Sequence, residues 1–157
     1  MKVAVGKKAP AFKLPDEGGK THTLKEYAGK WLLIYFYPKD DTPGCTIEAC
    51  TIRDQFKDFK KIGATVVGVS TDSVKSHKKF KDAYELPFTL LADEDKKMVS
   101  AYGVWTEKSM YGRKYMGTVR SSFLVDPKGI VRKVYEKVKP AKHAAEVIAD
   151  LKLFKQK

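Results

Sequence analysis

The chain has 157 residues, 43% of them hydrophobic, and carries a formal net charge of +12. That length suits one domain, residues 1–157, with a core large enough to fold without staples, and no apolar run approaches the roughly 18 to 20 residues of a membrane span. Arginine occurs only at Arg53, Arg113, Arg120 and Arg132, so nearly all the positive charge is lysine. Lysine spread along amphipathic segments coats a solvated surface, and no lysine cluster is interleaved with stacking aromatics as single-strand readers need. Neither nucleic acid nor membrane is therefore an expected partner. The stretch Met1–Lys8 has no apolar h-region, which makes the cytoplasm the expected location.

In chain order, Phe12-Lys13-Leu14 and Thr21-His22-Thr23 flank Gly18-Gly19 and predict a short N-terminal β-hairpin. Trp31 to Tyr37 is a continuous apolar run of strand length, the pattern of a central strand buried on both faces. A helical pattern follows from about Thr42 to Ile62. Thr65–Ser70 reads as a second buried strand, then a helix runs from Asp72 or Ser73 to Tyr84. Phe88–Ala92 is a shorter strand and Lys96–Tyr102 a short helix. Ser121–Val125 and Ile130–Tyr135 pair around Asp126-Pro127-Lys128-Gly129, and Lys142–Phe154 closes the chain as a helix. This order predicts an α/β fold, a mixed central sheet with helices on both faces. It suits a thioredoxin-like arrangement with an extra N-terminal hairpin.

Cys45 and Cys50 are the only cysteines, and both fall in the helix that follows the central strand. Two close cysteines in a reducing compartment point to catalysis or redox sensing more than to structure. Thr42 suits an N-cap, Pro43 the next position, where its missing N–H costs nothing, and Gly44 and Cys45 complete the first turn. Free N–H groups and the helix dipole there favour a thiolate, and Thr42 Oγ is near enough to reach towards the sulfur.

Cys45, Ala49, Ile52, Phe56 and Phe59 recur at helical spacing as one core-facing stripe, whereas Cys50 aligns with Asp54, Lys57 and Lys61. Cys45 is thus expected at the bottom of a pocket and Cys50 nearer to water. On an ideal helix, residues five apart have Cα atoms roughly 8 to 9 Å apart, beyond the about 7 Å that a disulfide spans. If the two ever bond, part of the helix must unwind.

Other readings of the same residues stand beside this one. Cys45 is otherwise a buried core cysteine. The Cys-x4-Cys spacing does not suit most zinc sites, and it is wider than the Cys-x-x-Cys of a general disulfide exchanger. A Cys–His hydrolase has His22, His77 and His143 to draw on, but His77 shares the stripe Val74-His77-Phe80-Tyr84 and reads as a satisfied, partly buried ring. Glu48, one turn from Cys45, either orients an arginine or is a solvated helix residue. Arg120 is otherwise an ordinary surface ion pair.

The stretch Pro38-x-x-x-Thr42-x-x-Cys45 resembles the active-site signature of peroxiredoxins. Its continuation Cys45-Thr46-Ile47-Glu48-Ala49-Cys50 is similar to the bacterioferritin-comigratory-protein, or PrxQ, branch. Trp105-Thr106-Glu107-Lys108, Tyr111-Gly112-Arg113 and Arg120-Ser121-Ser122-Phe123-Leu124-Val125-Asp126 agree with it. The resemblance covers nearly the whole chain and departs from the pattern at no position that defines the site.

It implies a thioredoxin-like fold and reduction of hydrogen peroxide and organic hydroperoxides. It also implies Cys45 as peroxidatic cysteine, Cys50 as resolving cysteine through a Cys45–Cys50 disulfide, and Thr42 and Arg120 as partners of Cys45. Pro38, Pro43, Gly44 and Glu48 fall where the pocket is shaped or the arginine oriented. Thioredoxin or a similar dithiol protein is the implied reductant, with no metal, haem or flavin. No apolar surface strip is evident, so a monomer is expected.

Overall fold

The computed structural model describes residues 3–156; Met1 and Lys2 of the N-terminal stretch, and Lys157, lie outside the described residues. Its centre is β3 (Trp31–Phe36), all six residues of which are buried. Strand geometry sends alternate side chains to opposite faces. Trp31, Leu33 and Tyr35 join one apolar layer with Ile52, Phe80 and Leu151. Leu32, Ile34 and Phe36 join the other with Phe12, Val99 and Phe123. A strand with a core on each side has no use for the polar alternation of a surface strand, which is why this run reads as continuously apolar.

Around β3 the sheet has the order β5-β4-β3-β8-β9. Parallel partners are β4 (Ala64–Ser70) and β5 (Thr89–Ala92); β8 (Ser121–Val125) and β9 (Val131–Tyr135) run antiparallel. The helices are α1 (Pro43–Asp54), α2 (Phe56–Ile62), α3 (Val74–Tyr84), α4 (Lys97–Ala101) and α5 (His143–Lys155). Helices α1, α2 and α5, with Phe80 of α3, cover one face, while α4 and the N-terminal segment cover the other. The expected N-terminal hairpin is present as β1 (Lys13–Pro15) and β2 (Thr21–Thr23). Asp16 holds its turn by accepting the Gly18 and Lys20 N–H groups at 2.8 and 3.0 Å. Among the described residues no helix is long and apolar enough to cross a membrane.

Two features depart from expectation. The helix predicted over 42–62 is interrupted at Gln55, whose backbone (φ −107°, ψ 12°) leaves the helical region between α1 and α2. Thr51 Oγ donates to the Ile47 carbonyl at 2.7 Å one turn before the break, a back-bond that bends helices. The second is an unforeseen antiparallel pair, β6 (Trp105–Met110) with β7 (Arg113–Thr118). Most of its residues are exposed, so no core periodicity marks it. Contrary to the expectation of no apolar surface strip, it displays Met110, Tyr111, Tyr115 and Met116 to solvent, Tyr111 at 98% exposure.

Gly68 in β4 pairs with Tyr35 in β3, and a Cβ there would come within 2.8 Å of the Tyr35 ring and 2.9 Å of Leu90. Overpacking of this kind costs about 1–3 kcal/mol. Gly68→Ala is therefore expected to lower the unfolding free energy by that amount, read as a reduced urea midpoint at an unchanged slope of the transition.

Candidate active site

The site forms where the chain leaves the C-terminal end of β3. Residues 37–42 carry it off the sheet edge, with Pro38 directly behind Tyr37, and α1 starts at Pro43. The Thr42 carbonyl accepts the first helical bond from Thr46 N–H at 2.8 Å. That leaves the Gly44 and Cys45 N–H groups in the first turn, donating to no acceptor among the described residues. Such a turn favours an anion. Cys45 sits in it at 1% exposure, and Cys50 is half-buried on the wetter side of the same unbroken helix, both as free thiols. The phase expected for the two cysteines is the phase observed.

Arg120 reaches the site from the other direction. Ser121 pairs with Phe36 in the antiparallel β3–β8 register, so the residue just before β8 lies beside the connection that leads to α1. Its guanidinium spans two groups, donating to Glu48 Oε1 at 2.7 Å and to Cys45 Sγ at 3.3 Å. Burial works against the Arg120 charge, but its neighbours Cys45 and Glu48 together hold it above the ordinary arginine value. The surface-ion-pair reading of Arg120 does not survive, since Glu48 is fully buried at 0% exposure.

Glu48 likewise is not a solvated helix residue. Three positions from Cys45, it shares the core-facing side of α1, and that phase was the available signal. Burial pushes its carboxyl up to about 7, against the pull of Arg120. Its Oε2 has no hydrogen-bond partner among the described residues, nor has the Tyr35 hydroxyl. Burial, then the charges of Glu48 and Cys45, raise Tyr35 well above its ordinary value.

Thr42 departs from expectation. It occupies the N-cap position with extended backbone (φ −93°, ψ 156°) but makes no side-chain cap. Its hydroxyl donates instead to the Lys39 carbonyl at 2.9 Å, and no bond joins it to Cys45 Sγ among the described residues. A carbonyl only accepts, so the Thr42 proton is committed and its oxygen keeps only acceptor capacity.

Lys108 was missed as a candidate residue. Burial and the nearby Arg120 cation lower its ammonium, while Cys45 opposes that shift. No local signal in the sequence carries β6 to Arg120.

For a metal, the grouping to consider is Asp40, Asp72 and His77, whose ligand atoms all lie within 4.8 Å of one another. Those atoms are already engaged: Asp40 Oδ2 with His77 Nδ1 at 2.7 Å, and Asp72 Oδ2 with Ser70 Oγ at 2.6 Å. His77 is the satisfied ring anticipated, though wholly rather than partly buried. A cavity of about 590 Å³ also opens at the far end of the sheet, between Phe12, Leu24 and Val125, away from both cysteines.

A thiol in a helix's first turn, held by a half-buried arginine paired with a fully buried glutamate at the end of a thioredoxin-like sheet, defines a thiol-chemistry class. The comparisons narrow it. Residues 5–134 match the AhpC/TSA family. Bacillus subtilis peroxiredoxin Bcp is 45% identical over 157 residues, covering 100% of both chains. Escherichia coli peroxiredoxin Bcp is 43% identical over 144 residues, 92% of each. Among solved structures, Xanthomonas campestris peroxiredoxin Q superposes with a TM-score of 0.86 at 46% identity, covering 90% of each chain. The bacterioferritin comigratory protein of that organism, solved as trapped intermediate and ligand complexes bearing on its alkyl peroxide reduction activity, gives 0.87 at 45% identity over 91% of each. The chain belongs to the AhpC/TSA family, within its Bcp/PrxQ peroxiredoxin branch.

Gly44 makes the arginine contact possible, because a Cβ there would lie 2.9 Å from Arg120 Nη2. Gly44→Ala is expected to leave stability nearly unchanged, since the obstructed group is a side-chain tip. Peroxide reactivity of Cys45 should fall about 10- to 100-fold as one charge-assisted donor is displaced, measured as the second-order rate of thiol loss.

Proposed function

We propose that the protein is a thiol peroxidase in which Cys45 reduces hydrogen peroxide and organic hydroperoxides, Cys50 resolves the product, and a dithiol protein of the thioredoxin type closes the cycle. The observation that carries this reading is the Arg120 Nη2–Cys45 Sγ contact at 3.3 Å in the first turn of α1. A thiolate is the nucleophile in such chemistry, and the turn and the guanidinium both favour it.

In the first step the Cys45 sulfur attacks the terminal oxygen of the O–O bond. An S–O bond forms, the O–O bond breaks, and the alkoxide or hydroxide that leaves takes a proton from water. Sulfur is oxidised to sulfenic acid and the peroxide is reduced to alcohol or water. Charge moves from sulfur to the departing oxygen, so fixed donors that reach both are what the transition state needs. Arg120 and the Cys45 N–H supply them. Thr42 has the complementary part, its lone pair accepting the peroxide O–H and so aiming the attacked oxygen. Pro38 and Pro43 shape the connection, Gly44 leaves room for the arginine, and Glu48 orients it.

In the second step the Cys50 sulfur attacks the sulfenic sulfur, releasing water and leaving a Cys45–Cys50 disulfide. Helix α1 runs unbroken through both residues, so its first turns must open before the sulfurs meet. A dithiol then reduces the bridge by exchange. The reducing cytoplasm suits this cycle, and so does action as a monomer, since both cysteines belong to one helix.

Cys45→Ser is expected to abolish peroxide consumption. Cys50→Ser should keep the first turnover but lose cycling driven by thioredoxin, and one equivalent of peroxide should yield a Cys45–Cys50 bridge in peptide mapping of the unmodified protein. Full cycling by Cys50→Ser, or a bridge only between two chains, would sink the resolving assignment.

A further inference from the structure

The peroxidase reading leaves one buried titratable cluster unused. Asp40, two residues before the N-cap of α1, accepts from Tyr37 Oη at 2.5 Å, Ser76 Oγ at 2.8 Å and His77 Nδ1 at 2.7 Å. Its own N–H donates to Asp72 Oδ2 at 2.8 Å. His77 Nε2 lies 2.8 Å from the Leu91 carbonyl, which only accepts. Both ring nitrogens therefore face acceptors, the arrangement of an imidazolium. His77 is at 0% exposure, in α3 rather than α1. The next residue is pinned to the same helix, Asp41 Oδ1 accepting from Tyr84 Oη at 2.7 Å. The segment that enters the cysteine helix is thus fastened to α3 by a buried ion pair and a second hydrogen bond.

We propose that His77 is a positioning residue for the reaction: by holding Asp40 it keeps the first turn of α1 closed, and so sets how fast Cys50 reaches the Cys45 sulfenic acid. The inference rests on the Cys50 reading above. While the anchor holds, the unwinding that joins the cysteines must be taken up between Asp41 and Cys50 alone. Releasing Asp40 leaves the Asp41–Tyr84 bond as the remaining tie of this stretch to α3, so that opening can draw on the connection from the end of β3.

The closed state also holds the sulfenate where a second peroxide can meet it. That side reaction converts Cys45–SO⁻ and ROOH to Cys45–SO₂⁻ and ROH, with sulfur oxidised and peroxide reduced. A tighter anchor therefore shifts the partition from disulfide towards sulfinate.

The charged and polar groups that face His77 are Asp40 from the connection, Tyr37 from the end of β3, Asp72 after β4 and the Leu91 carbonyl of β5, while Ser76 on its own helix reaches it only through Asp40. Burial opposes its charge, but Asp40, the Leu91 carbonyl and Asp72 hold the imidazolium above the ordinary histidine value of 6.5. A raised histidine stabilises the closed form fully below 6.5 and loses that contribution as pH climbs through the folded value. Opening should accordingly speed up on the alkaline side of that window.

The test is rapid mixing of reduced protein with one equivalent of hydrogen peroxide, acid quench, and quantification of disulfide and sulfinate by mass spectrometry at pH values on both sides of neutrality. His77→Gln retains a hydrogen-bonding side chain without the charge. It is expected to speed disulfide formation roughly tenfold or more on the acid side, to remove the pH step between the two proteins, and to lower sulfinate yield. Subtracting the variant's profile from the wild-type profile isolates His77 from Glu48 and the thiols. Asp40→Asn should act in the same direction, and the double variant should add little to either single one.

Unchanged rates and an unchanged pH step in both single variants would overturn the proposal. Failure of the wild type to form a Cys45–Cys50 bridge would overturn the resolving assignment and the proposal with it. Should the variants not fold, amide exchange of Thr46 to Cys50 in the unmodified protein decides. After correction for intrinsic rates, opening must rise through the His77 window, and a flat profile refutes the anchor.

Discussion

The geometry of this site depends on one guanidinium fork. Arg120 places one nitrogen on a carboxylate and another on a sulfur, a division that the planar group makes without bending and that a lysine ammonium does not reproduce. Three separate features of the sequence serve it. The antiparallel register sets Ser121 against Phe36, which delivers Arg120 to the point where the chain turns off the sheet. Gly44 keeps the first turn of α1 free of a Cβ that would strike Nη2. The 3.6-residue repeat then brings Glu48 to the same side of the helix as Cys45, so one cation meets both.

Such an arrangement is costly in isolation. A carboxylate with no exposure and one oxygen without a partner is a poor contributor to stability, and an ion pair at this depth is often no better than apolar packing. Its merit is electrostatic pre-organisation. On the proposed mechanism the groups that steady a shifting negative charge are in place before peroxide arrives, with Cys45 in the same buried cluster as Tyr35, Tyr37 and Ile52. With Glu48 raised to about 7, the anionic partner of Arg120 begins to be lost as the medium turns acid. A carboxyl raised by burial contributes stability that is lost as the pH rises through about 7, the direction of change in which the His77 charge is also lost.

What the sequence made legible follows from periodicity and from where it fails. The run Trp31 to Tyr37 announced a central strand because both faces of β3 are buried, and the spacing of Cys45, Ala49, Ile52 and Phe59 announced which side of α1 faces the core. The break at Gln55 was hidden, since Ile52 and Phe59 stay in phase across it; only the Thr51 back-bond marks the bend. β6 and β7 were hidden for the opposite reason, having almost no buried residue to set a period. In the site, cysteines and helix start were local and readable. The contacts of Arg120 and His77 were not, as their partners lie 72 and 37 residues away in the chain. For Thr42 the residue type was right and the bond was wrong, because a hydroxyl that can cap a helix can equally donate backwards to Lys39.

The proposed cycle sets helix α1 two incompatible duties, and its anchors differ along its length accordingly. Its middle is core: Ala49 and Ile52 are buried, and Arg53 fastens the later turns to the Tyr84 carbonyl at 2.8 Å. Those turns cannot move without exposing apolar surface and breaking a bond to α3. Its first turn has few such obligations, with two N–H groups that find no acceptor among the described residues, Gly44 contributing no side chain, and Pro43 giving no hydrogen bond. The held part and the movable part meet between the two cysteines. On the proposed cycle that is where a boundary is useful, because Cys45 has to be held during attack and released immediately afterwards. α3 provides both conditions by gripping the helix at two levels. One grip, at Arg53, is a neutral-acceptor bond insensitive to pH over the physiological range. The other, at Asp40, is an ion pair that a single proton can weaken, so the two ends of one helix are secured with different chemistry.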